Sequence, residues 1–174
     1  MKRGNFLIGF LFTAALGTLL HFVYEWTGEN AFVGLFSAVN ESTWEHLKLL
    51  YVPLVAFGVY EFICYGKNYC CFFPAKLIGI LGGMLFITVF FYTYRGILGY
   101  NIDFLNISDF YLGAAVAWRV QYKFFYRPKG CLPISGGAAL LGIIILGVLF
   151  AVFTYSPPTL GLFADPAKYI NPEV

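Results

Sequence analysis

The chain has 174 residues and a net charge of +2; 60% are hydrophobic, 21% aromatic and 11% charged, where a soluble domain carries about a quarter charged residues. This excludes a soluble enzyme, and so small and scattered a charge excludes a nucleic-acid surface. What remains is an all-α integral membrane protein, and with ~20 apolar residues needed per span the length holds one compact bundle.

The opening MKRGNFLIGFLFTAALGTLL imitates a signal peptide, with Lys2 and Arg3 ahead of an apolar run. That run extends from Phe6 to Tyr24, longer than an h-region of about 7–15 residues, and no small-x-small cleavage site follows. It reads as a retained first span, Asn5 to Trp26. AFVGLFSAV, residues 31–39, is too short to cross and apolar enough to lie in the headgroup layer or tuck back between helices. Four further apolar stretches follow: Thr43 to Tyr65, Pro74 to Tyr94, Asp103 to Tyr126 and Ser135 to Tyr155. Residues 1–155 are thus expected to form a single five-transmembrane-helix domain. Residues 156–174, with four prolines, should form an irregular extracytoplasmic tail. The small-residue pairs Gly79/Gly83, Gly113/Ala117 and Gly142/Gly147 permit close helix approach.

Orientation follows from Lys and Arg. With the N-terminus in the cytoplasm, Lys2, Arg3, Lys67, Lys76, Arg119, Lys123, Arg127 and Lys129 fall inside, against Lys48, Arg95 and Lys168 outside. The expectation is N-terminus in, C-terminus out. Cys64, Cys70, Cys71 and Cys131 then lie near cytoplasmic ends, where thiols stay reduced. Glu25, Glu29, Glu41, Glu45, Asp103, Asp109, Asp165 and Glu173 lie at outer ends with both histidines, His21 and His46; Glu61 stands near the inside.

NESTWEHLKLL, residues 40–50, opens the second span. Asn40 or Ser42 can cap the helix, and Ser42-Thr43-Trp44-Glu45 is a capping box. Glu41 and Glu45 suit the positive helix end at ~0.3–1 kcal/mol each, and Lys48 shares their face. Capping leaves His46 unexplained. Pro53 should kink this helix and free a carbonyl near Leu49, and irregular backbone in a membrane must line a cavity or be buried in protein. In the first span Ala14, Gly17, Thr18, His21 and Glu25 form one stripe at three- and four-residue spacing. Two antiparallel helices joined by a short loop meet at their outer ends, which gathers His21, Glu25, Glu41, Glu45 and His46. Asp109 and Arg95 join from the fourth and third spans, as a buried ion pair in the simplest reading.

Ionisable groups in a bilayer are costly and mark functional candidates. Imidazoles and carboxylates from facing helices are the ligands of metal sites in bundles. His21, Glu25, Glu45 and His46 are therefore candidates for a divalent metal or for acid–base catalysis, with Asn40, Glu41, Ser42, Lys48, Arg95 and Asp109 as binding partners. No HExxH-type spacing supports the metal. A metal-free ligand pocket and a polar network that merely locks helix ends fit the same residues. Three functions stay open. The first is an enzyme, or a binder of a metal, membrane lipid or small lipid-like ligand, at the extracytoplasmic surface. The second is a proton- or ion-coupled transporter, although the third and fifth spans have no ionisable residue in their middles. The third is an accessory subunit docking through its aromatic surface and tail.

The runs HFVYEWTGENAFVGLFSAVNESTWEHLKLLYVP, PAKLIGILGGMLFITVFFYTYRGILG and PPTLGLFADP resemble a family of small bacterial integral membrane proteins of unknown function. VNESTWEHLK is the specific core, and the similarity covers nearly the whole chain. The resemblance implies a multi-pass protein of the bacterial cytoplasmic membrane, with no reaction attached.

Overall fold

The computed structural model describes residues 3–125 and 133–165. The elements are α1 (Arg3–Trp26), α2 (Ala31–Gly34), α3 (Thr43–Cys64), α4 (Phe72–Leu98), α5 (Asp103–Phe125) and α6 (Gly136–Tyr155), and no strand occurs among the described residues. Local chemistry sets the ends. α1 stops where Gly28 and Glu29 both turn left-handed, at φ 66° and 59°. Ser42 caps α3 and Ser135 caps α6, each hydroxyl accepting from the amide three residues on. Gly99, left-handed at φ 80°, closes α4 with its N–H on the Arg95 carbonyl. α5 follows after a tight turn.

Four helices are long and apolar enough to cross a membrane: Asn5–Trp26, Thr43–Cys64, Phe72–Leu98 and Gly136–Tyr155. They describe a multi-pass membrane protein. α5 is as long, at 23 residues, but Asp103, Asp109, Arg119 and Lys123 dilute its apolar content, so the expected fifth span does not meet the same measure. Its polar groups are partly turned inward: Asp109 and Gln121 are both buried.

Side-chain contacts fix an up-and-down arrangement. The C-terminal ends of α1, α4 and α6 lie with the N-terminal ends of α3 and α5, as the contacts His21 to Glu41, Tyr94 to Asn106 and Thr154 to Glu45 require. α3 runs through the centre, with Leu50 and Leu54 wholly buried and the Trp44 and Tyr51 rings packed at a tilt on Phe150. Large apolar side chains such as Leu7, Leu85, Ile144 and Val152 stay half exposed or more, as lipid-facing positions do. Backbones meet where side chains are absent. A methyl added at Gly83 would lie 2.8 Å from both Ala117 Cβ and the Gly113 carbonyl, which places α4 hard against α5. A methyl at Gly17 would lie 2.8 Å from the Leu49 carbonyl, the acceptor four residues ahead of Pro53.

Residues 31–39 tuck onto the end of the bundle. Asn30 caps α2, the Tyr155 hydroxyl donates to the Ala31 carbonyl, and Ser37 and Ala38 are buried. The tail is less irregular than its prolines suggest. Gly161–Phe163 forms a 3₁₀ turn that sets Phe163 4.9 Å from the Trp44 ring and 5.3 Å from Phe153; residues 166–174 lie outside the described residues. The expectation of four reduced thiols is corrected at Cys71, which is disulfide-bonded, whereas Cys64 is an exposed free thiol; Cys131 is outside the described residues.

Candidate functional site

The first turn of α3 sends its charges in two directions. Glu45 and Lys48, three residues apart, share one face and are almost wholly buried, with Lys48 Nζ 2.6 Å from Glu45 Oε2. The lysine also donates to the Gly34 carbonyl at 2.7 Å and the Thr154 hydroxyl at 2.8 Å. Glu45 accepts from Thr154 at 2.8 Å and from the Val39 amide at 3.1 Å. Every proton of the ammonium and both carboxylate oxygens thus have partners. This group ties α2, α3 and α6 together. The capping box is half formed, because the Ser42 amide is taken by Asn40 Oδ1 at 2.9 Å and Glu45 reaches Val39 instead. Asn40, Ser42, Glu45 and Lys48 are thereby held in structural contacts.

The other face carries His46. Its Nδ1 lies 3.0 Å from the Ser42 carbonyl, and a carbonyl only accepts, so the neutral ring keeps its proton on Nδ1 and its lone pair on Nε2. Nε2 points at Glu41, 3.5 Å from Oε2, and His21 Nε2 stands 3.8 Å from Oε1 of the same carboxylate. The imidazole centroids are 5.3 Å apart. One ligand atom from each of His21, Glu41 and His46 lies within 4.8 Å of the others, with the imidazoles part-buried and Glu41 exposed. Glu41 stands here, apart from the expected Glu45/Lys48 stripe, because it precedes the Ser42 cap and so follows no helical spacing. His21 Nδ1 is buried with no hydrogen-bond partner among the described residues.

These groups line one side of a cavity of ≈ 700 Å³ between α1, α3, α4 and α5. Gly17, Leu49, Ile87, Phe91 and Phe110 give it an apolar body. Asp109 lines it too, 2% exposed, with Oδ1 unpartnered among the described residues. The expected Asp109–Arg95 pair is not formed. Arg95 is exposed with its guanidinium 5.7 Å over the Phe91 ring, and Tyr94 is the α4 residue turned to α5, through Asn106. Glu25, one turn past His21, is exposed and outside the cluster.

A second buried pair at the opposite end went unread in the sequence. Lys76 Nζ contacts Glu61 Oε2 and donates to Gln121 Oε1 at 2.7 Å, and it sits 4.7 Å from the Trp118 ring centroid. Glu61 also accepts from the Tyr65 hydroxyl. The available signal was a lone acid in an apolar span followed, fifteen residues later, by a lone lysine in the next. Thr154, the one threonine of an apolar helix, was the corresponding signal for the Glu45–Lys48 group.

No curated protein and no solved structure matches the chain. The family of unknown function DUF6512 does, over residues 2–169, and the chain belongs to that family.

Proposed function

We propose that this membrane protein holds a divalent metal, zinc in the first instance, between His21, Glu41 and His46 at the edge of the cavity. One observation carries the reading: two imidazole Nε2 atoms from different helices converge on one carboxylate, and a backbone carbonyl fixes the tautomer that leaves His46 Nε2 free to ligate. Nitrogen and carboxylate oxygen suit zinc, and three protein ligands leave a fourth position for water or substrate, as in catalytic rather than structural sites. A tetrahedral ion needs ligand atoms about 3.3 Å apart, and the two Nε2 atoms stand 3.8 and 3.5 Å from the Glu41 oxygens. The bound ion would act as a Lewis acid toward a molecule in the cavity.

Titrating Zn²⁺ into chelator-treated protein in detergent tests this. His21→Ala with His46→Ala should abolish the tight phase, and Glu25→Gln should leave it intact. An unchanged titration in the double variant would end the proposal.

The same reading takes α5 as a fifth span whose acids face the cavity, and sets the histidine end outside. Lys48 and Lys76 are buried in ion pairs and drop out of the charge count, which among the residues whose exposure is described leaves Lys67, Arg119 and Lys123 at one end against Arg95 at the other. The Cys71 disulfide weighs the opposite way, since disulfides belong to oxidising compartments. Reporter fusions after the Gly28 turn decide between the two.

A further inference from the structure

Asp109 is used by neither ion pair nor by the histidine cluster. It sits six residues into α5 from Asp103, about 9 Å down the helix at ~1.5 Å per residue. The cavity it lines is walled by Ile87 and Phe91 of α4 and by Phe110 beside it on α5, and its Oδ1 has neither water-exposed surface nor a hydrogen-bond partner among the described residues. An uncompensated carboxyl of this kind costs free energy unless something meets it. The cavity lining offers no compensation. Outside the histidine cluster its ionisable lining groups are Asp103 and Asp109, with neither lysine nor arginine, so the lining favours a cation over an anionic headgroup. The volume, ≈ 700 Å³, lies within the range of about 300–1,000 Å³ usual for small-ligand pockets.

We propose that the cavity binds an amphipathic ammonium compound, its cationic nitrogen on Asp109 and its hydrocarbon part along Leu49, Ile87, Phe91 and Phe110. The nitrogen supplies the partner that the protein withholds from the carboxylate, and the apolar lining supplies the remaining contact. An alkylammonium fits both halves of the cavity; an alcohol of the same chain length fits one. This assignment does not rest on the metal centre, which involves different side chains.

The test uses the full chain in phosphatidylcholine nanodiscs and two fluorescent probes, a dansyl-labelled dodecylamine and its alcohol isostere, titrated against empty nanodiscs. The amine should bind at least tenfold more tightly than the alcohol. Asp109→Asn should erase that preference, and His21→Ala with His46→Ala should keep it, so the outcome is separable from zinc binding. Equal binding of amine and alcohol by the unmodified protein would overturn the assignment without any variant having to fold. So would a preference that survives Asp109→Asn. Repeating the titration in phosphatidylethanolamine nanodiscs identifies the source: competition by the lipid points to a headgroup ammonium, and undiminished probe binding to a free amine.

Discussion

Two faces of one helical turn, separated by a single residue, have opposite characters. Glu45 and Lys48 are saturated: between them they touch Gly34, Val39 and Thr154, and neither is more than 2% exposed. His46, next to Glu45 in the chain, is about one-third exposed, faces an exposed carboxylate at 3.5 Å, and leaves a ring nitrogen uncommitted. Charge in a membrane protein is structural where its partners are complete and available for chemistry where they are not. The Glu61–Lys76 pair at the opposite end belongs with the first kind, although Gln121 Nε2 beside it is buried without a partner among the described residues; Asp109 belongs with the second.

The sharpest way to break this division is Lys48→Ala. It strands a buried carboxylate and should cost about 3–5 kcal/mol, read as a large fall in the thermal midpoint in detergent. Lys48→Met combined with Glu45→Leu should recover much of that loss, because a matched apolar pair removes both charges at once. If Lys48→Ala unfolds no earlier than His46→Ala, the two faces do not differ as described.

Next in size is the histidine side. His21→Ala or His46→Ala should change apo stability by under ~1 kcal/mol, as at other partly exposed positions. Each should weaken zinc by about 100-fold or more, since even outer-shell partners of a metal site are worth 10–100-fold. The opposite pattern, unstable variants with unchanged zinc affinity, would make the cluster a structural lock.

Acidification sharpens the contrast further. Zinc takes neutral imidazole, so protons compete with it: affinity should fall on acidification, by up to two protons' worth if both rings ligate. Zinc titrations at stepped pH measure the slope, and a flat profile from pH 7.5 to 5 excludes imidazole ligands. The smallest effect is Asp109→Asn, which should stabilise the ligand-free protein by about 1 kcal/mol through removal of an uncompensated carboxyl. A destabilised variant would reveal a partner for Asp109 within the chain.

Much of this was legible in the sequence because local rules govern it. The Ser42 cap set the start of α3 and apolar runs four of the spans, whereas α4 runs on past the expected Tyr94 to Leu98; the meeting of His21 with His46 followed from two antiparallel helices and a short loop. The choice of Glu41 over Glu45 as the histidines' partner was not legible. It depends on where the cap falls, since one residue before the helix the 3.6-residue period no longer applies. The pairing of Glu61 with Lys76 and Gln121 depends on how α3, α4 and α5 are rotated about their axes, which glycine contacts such as Gly79 against Gln121 decide. Arg95 was misplaced for the same reason: at its end of α4 the residue turned to α5 is Tyr94.

X-ray absorption on zinc-loaded protein tests the centre most directly, because it reads the ligand atoms themselves. Two imidazole nitrogens at about 2.0–2.1 Å with oxygen completing the shell, lost on His21→Ala with His46→Ala, is the expected spectrum. Sulfur scattering at about 2.3 Å, or an unaltered shell in the double variant, would place the metal elsewhere and leave His21, Glu41 and His46 as a polar seam between two helix ends.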